Sequence, residues 1–116
     1  MELHLFARFH ARPGLADAVR RAIREVEGPT RAEPGCLAFA AFQSIRDPDE
    51  LYIHSHWRDR AAFEVHASLP HTMHFMETVA PLLDHPFHAT LAAPLDAEPI
   101  AVAADVENRE AGSTTG

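Results

Sequence analysis

The chain has 116 residues, 47% of them hydrophobic and 23% charged, which is the composition of one small globular domain and excludes a fibrous or wholly disordered protein. Ten arginines, no lysine and seventeen acids give a net charge of −7. That balance offers no dense basic face for nucleic acid, and the missing lysine excludes Schiff-base and phosphate-loop chemistry. The single cysteine, Cys36, excludes an internal disulfide and any multi-cysteine metal site.

Residues 2–10 alternate, with Leu3, Leu5, Ala7 and Phe9 on one side and His4, Phe6, Arg8 and His10 on the other, the period of a strand. Pro13-Gly14 ends it. Leu15, Ala18, Val19, Ala22, Ile23 and Val26 then recur at helical spacing, so an amphipathic helix follows, weakened at Gly28-Pro29 and stopped by Pro34-Gly35. Cys36–Ile45 and Leu51–Trp57 read as two strands of a hairpin around the turn Arg46-Asp47-Pro48-Asp49-Glu50. Asp59 is placed to cap a helix from Arg60, which Pro70 interrupts before a second helical piece carrying Phe75, Val79, Leu82 and Leu83. Pro86–Ala93 is a last short strand.

The order β-α-β-β-α-β with right-handed crossovers predicts an α+β fold over residues 1–94, a ferredoxin-like sandwich with its helices on one sheet face. The other face would carry Phe6, Ala38, Ala40 and Phe42. Covering them with a second copy of the sheet predicts a homodimer. Residues 95–116 are acidic and end Ala-Gly-Ser-Thr-Thr-Gly, and are expected to form a poorly ordered tail in which Ile100–Val106 could dock. No apolar run reaches the ~18 residues of a membrane-spanning helix. Met1-Glu2-Leu3-His4-Leu5 lacks the basic start of a signal peptide, so a cytoplasmic location is expected.

Nine histidines dominate the candidates for chemistry. His54 and His56 form His-x-His on a strand, with side chains on one face roughly 7 Å apart, a spacing that suits metal chelation or two polar residues on a half-exposed strand. His66, His71 and His74 fall around the second helical region among Phe63, Met73, Phe75 and Met76. Partial burial there would keep an imidazole neutral and able to accept a proton, while the same spacing serves a histidine that caps a helix or bonds a carbonyl. Of these, His71 follows the Pro70 break, where a ring can turn inward, and His66 would support it. Trp57 can wall a pocket between sheet and helix or fill the core. No glycine-rich nucleotide loop, nucleophile elbow or His-Glu-x-x-His motif is present, so any chemistry falls to side chains in an apolar cavity.

Several stretches, in order, resemble the antibiotic biosynthesis monooxygenase family. They are Pro13-Gly14, then Thr30-Arg31-Ala32-Glu33-Pro34-Gly35-Cys36-Leu37, then Asp47-Pro48, then Trp57-Arg58-Asp59-Arg60-Ala61-Ala62-Phe63-Glu64-Val65-His66, with Pro70-His71 and Phe75 continuing the pattern. The resemblance covers about residues 1–94 and implies a dimeric α+β barrel with a pocket between sheet and helices. It also implies oxygenation of a phenolic or quinol-like aromatic by molecular oxygen, without metal, flavin or haem. The matching positions are His71 and His66 as candidate bases, with Trp57 and Phe75 at the substrate. Phe39 stands where the family often has Tyr, and Ser55 where it often has Glu; both are expected beside the substrate. The alternatives are a haem- or metal-binding relative, using His54 and His56 or a pocket histidine, and a catalytically silent ligand-binding dimer.

Overall fold

The computed structural model describes residues 1–96. The expected acidic tail over 95–116, with its docking segment Ile100–Val106, lies almost wholly outside the described residues. Strand β1 (Leu3–His10) turns Leu3, Ala7 and Phe9 into the core and leaves Phe6 half exposed, as its alternation requires. Gly14 makes the turn that follows in the left-handed region, at φ 83°, where a side chain would be strained.

Helix α1 (Ala16–Arg31) buries Val19, Ala22, Ile23, Val26 and Thr30 along one stripe. It runs through Gly28-Pro29 to Arg31. Pro29 lies in the last turn and costs one backbone hydrogen bond there, while fully buried Thr30 anchors the end. Strands β2 (Cys36–Gln43) and β3 (Glu50–Trp57) form the hairpin. β2 stops two residues short of Ile45 because the Ser44 hydroxyl accepts from the backbone N–H groups of Arg46 and Asp47, both at 3.1 Å.

Helix α2 (Arg60–Ser68) starts where Asp59 caps it, its carboxylate accepting from the Ala62 N–H at 2.8 Å. Leu69 is extended at ψ 150°, as the residue before a proline favours, and α3 (Pro70–Val79) restarts with Pro70 in its first turn. A single 3-10 turn at Ala80–Leu82 leads towards β4 (His88–Ala92), shorter than the 86–93 span expected.

The sheet is antiparallel, in the order β2-β3-β1-β4, with β1 and β3 central. This is the ferredoxin-like α+β arrangement that the element order predicts. Ser55 of β3 stands at its centre, opposite Leu5 of β1 and Phe39 of β2. Phe9, Ile53, Phe75 and Val79 join inward strand residues to the helices in one core, and Trp57, Ala62 and Phe63 extend it under α2. The opposite sheet face stays open, with Phe6 51% and Phe42 56% exposed. No helix among the described residues is long and apolar enough to cross a membrane.

Candidate active site

A cavity of about 260 Å³ lies between the sheet and the helices. Leu5, Phe9, Phe39, Ile53 and Leu91 form its floor, while Val26 of α1, Phe63 of α2 and Phe75 and Met76 of α3 close its other sides. Among the described residues, four polar side chains reach it: Thr30, Ser55, His66 and Thr72. Space of ~150 Å³ between apolar side chains already holds benzene, so a cavity of this size suits a molecule of one or two rings.

Its polar groups are unequal. The indole N–H of Trp57 donates to the Ser55 hydroxyl at 2.9 Å, which commits one oxygen lone pair of that serine. The Thr30 hydroxyl is fully buried and has no hydrogen-bond partner among the described residues. A buried hydroxyl without a partner is costly, and a polar atom on a bound molecule would relieve it.

His66 is held by Glu33. The carboxylate Oε2 lies 2.8 Å from Nδ1 of His66 and 2.6 Å from Nε2 of His71, and the Thr72 hydroxyl is 3.2 Å from the same Nδ1. An ionised carboxylate only accepts, so both ring nitrogens facing it carry their hydrogens. The Nε2 of neutral His66 therefore keeps its lone pair. Burial draws the pKa of His66 below its ordinary value of 6.5, and outweighs the opposing effect of the hydrogen bond that its Nδ1–H donates to Glu33. At neutral pH the ring is an uncharged acceptor at the cavity wall.

Local sequence explains how Glu33 reaches both rings. It follows the end of α1, where its N–H donates to the Thr30 carbonyl at 3.1 Å, and Pro34-Gly35 turns the chain into β2. A β-carbon on Gly35 would collide with that of Ala62, so the glycine lets α2 pack against this corner. The glycine carbonyl accepts from the Arg58 N–H at 2.8 Å, which ties the corner to the end of β3.

Of the residues singled out in the sequence, His66, Phe39, Ser55 and Phe75 line the cavity. Trp57 and His71 do not. Trp57 is fully buried behind the wall, its ring 4.4 Å from that of His66, so its place is in the core. His71 turns towards Glu33 and a cleft between α1 and α3 instead of into the cavity, because its position in the first turn of α3 aims it at the end of α1. His54 and His56 lie on the open face, where His54 Nε2 is 2.9 Å from His4 Nδ1 and His56 Nε2 is 2.6 Å from a Glu2 oxygen. Glu33, Thr30 and Thr72 were not among the expected site residues. Only the Glu-Pro-Gly corner in the family-like segment pointed to the first of these.

Residues 3–78 match the antibiotic biosynthesis monooxygenase family. The chain belongs to this family. It is 36% identical over 92 residues to Rv0793 of Mycobacterium tuberculosis, covering 79% of this chain and 90% of that protein. The solved structure of Rv0793 superposes with a TM-score of 0.79 over 85% of this chain and all of its own. PA3566 of Pseudomonas aeruginosa is 34% identical, with a TM-score of 0.76 over 81% of this chain and 94% of its own. A further solved antibiotic biosynthesis monooxygenase is 27% identical, with a TM-score of 0.76 over 80% and 98% of the two chains.

Proposed function

We propose that this family member is a monooxygenase of small phenolic or quinol-like aromatics, using molecular oxygen and no cofactor, with His66 as its base. One observation carries the reading: an apolar cavity sized for one or two rings has in its wall a largely buried imidazole anchored through Nδ1 by a carboxylate. Nε2 of His66 takes the phenolic proton, and Glu33 stabilises the imidazolium through Nδ1. The resulting electron-rich anion reduces oxygen itself. One oxygen atom enters the ring in place of hydrogen and the other leaves as water, so a hydroquinone ends as a hydroxyquinone and supplies all four electrons. Thr30 offers a hydroxyl to a second polar atom of the substrate, and Phe39 and Phe75 pack on its ring.

In this reading His71 supports Glu33 and does not act as the base. The functional unit is a cytoplasmic homodimer joined through the open sheet face, where Phe6, Phe42, Tyr52 and His54 surround a shallow depression. Light scattering should give twice the chain mass, and a monomer at micromolar concentration removes the dimer from the proposal. Oxygen uptake by EDTA-treated protein with a panel of hydroquinones tests the chemistry. One oxygen consumed per quinol is expected, without added reductant. Uptake that appears only with haemin and reductant replaces this reading with haem degradation, and binding without turnover replaces it with a silent ligand-binding domain.

A further inference from the structure

We propose that Glu33, His66 and His71 form a binding site for one divalent first-row transition-metal ion of zinc-like preference. Each of the three residues offers one ligand atom, and these atoms all lie within 4.8 Å of one another; Oε2 of Glu33 is 2.8 Å from Nδ1 of His66 and 2.6 Å from Nε2 of His71. Two imidazoles and a carboxylate are a donor set for zinc, cobalt, iron or manganese, whereas magnesium and calcium demand oxygen. The donors come from three separate places in the chain: the end of α1, the last turn of α2 and the start of α3. Glu33 and His66 are 8% and 12% exposed, so an ion held there would be dry on two sides, and His71 at 26% leaves an entry from solvent. One carboxylate against a double charge leaves the occupied site at +1.

Two hydrogens now occupy the ion's place. They sit in the contacts of 2.8 and 2.6 Å that join the rings to Oε2. Metal bonds of ~2.0–2.2 Å hold neighbouring ligand atoms ~3–3.5 Å apart, so to admit an ion the two short contacts have to lengthen by less than ~1 Å, and a pair near the 4.8 Å limit has to draw in by about as much or slightly more. Each neutral ring then carries its hydrogen on the other nitrogen. For His66 that is Nε2, and occupation of the site turns this nitrogen from an acceptor into a donor. The binding claim stands apart from the proposed oxygenation, although a metal on Nδ1 would stop His66 from acting as a base.

Metal-stripped full-length protein titrated with Zn²⁺ by calorimetry, and with Co²⁺ by visible absorption, tests the site. One ion per chain is expected, with ligand-field bands from Co²⁺. Loss of a second-sphere partner alone costs ~10–100-fold in metal affinity, so His71→Asn and Glu33→Gln, which remove ligands, should each weaken binding by more than ~100-fold. A His54→Ala/His56→Ala double variant should bind as the wild type does. Histidine ¹⁵N spectra of unaltered protein supply a readout that no folding defect can mimic: Zn²⁺ should move the ring signals of His66 and His71 and leave those of His54 and His56 in place. Absence of stoichiometric binding overturns the proposal. So does binding that survives His71→Asn, or a Zn²⁺ response confined to His54 and His56.

Discussion

His10 and His66 each sit within 2.8 Å of a carboxylate oxygen, and the protein moves their proton affinities in opposite directions. His10 is clasped from both sides at the end of the central strand β1, by Asp47 at 2.8 Å and Asp84 at 2.7 Å, with its side chain 33% exposed. The hydrogen bond to Asp47, followed by that to Asp84, raises its pKa above 6.5. His66 is 12% exposed, and burial lowers its pKa although Glu33 pulls the other way. A nearby carboxylate therefore does not settle the charge of a histidine; the water lost around the ring can outweigh it. The surface cluster favours the protonated form of a ring that ties two loops together. The interior cluster keeps a neutral ring beside a cavity.

The sharpest way to break this comparison is to remove each ring in turn. His66→Ala should lower kcat for quinol oxygenation by ~10²–10⁴, the range for loss of one general base. His10→Ala should leave the rate unchanged, because its ring lies outside the cavity lining. Equal rates for wild type and His66→Ala on an authentic substrate would take the base role from His66.

The partners should separate next, this time in stability. Glu33→Ala leaves two ring N–H groups without their acceptor in a mostly buried place, at a cost of about 1–3 kcal/mol. Glu33→Gln, which keeps an acceptor, should recover part of it. Asp47→Ala at the surface lets water replace the carboxylate and should change the denaturant midpoint far less. Gly35→Ala disturbs the interior cluster without touching a member of it. The new methyl group drives α2 away from the Glu33 corner, and overpacking of this kind costs about 1–3 kcal/mol. Chemical denaturation of the four variants in one buffer gives the ranking.

The two clusters also differ in how well the sequence announces them. Strand alternation over Leu3–Phe9, the 3.6-residue stripe from Leu15 to Val26 and the Asp59 cap are local signals, so element order and fold class followed from them. His66 and Phe75 fall at helical spacing and match the family pattern, whereas Phe39 and Ser55 are legible as cavity residues only through the family resemblance. Glu33 is marked only by the Glu-Pro-Gly corner of the family-like segment and its role not at all, because its partners lie 33 and 38 residues away and no local pattern encodes such a meeting. The direction of His71 depends on how α3 restarts after Leu69, and a proline marks that break without fixing its angle. Trp57 shows the same limit from the other side. Its place at the end of β3 fitted a pocket wall and a core residue equally, and only packing against Phe63 and His66 put it behind the wall.

The smallest expected effect is the dependence of stability on pH, where the two histidines should oppose each other. For His10 the folded pKa lies above the unfolded value of 6.5. Its contribution is therefore complete below about pH 6.5 and fades as pH rises through the folded value. For His66 the folded pKa lies below 6.5. The unfolded chain then takes up the proton first, and stability falls as pH drops from about 6.5 towards the folded value. Together they should give a shallow maximum near the ordinary histidine range. Removing His10 should flatten the alkaline limb alone, and replacing His66 with Gln should flatten the acid limb alone. Melting temperatures between pH 5 and 8.5, measured in metal-free buffer beside an NMR titration of the two ring signals, test both limbs. If His66 titrates above 6.5 as His10 does, the carboxylate outweighs burial in the interior as well, and the contrast between the two clusters is lost.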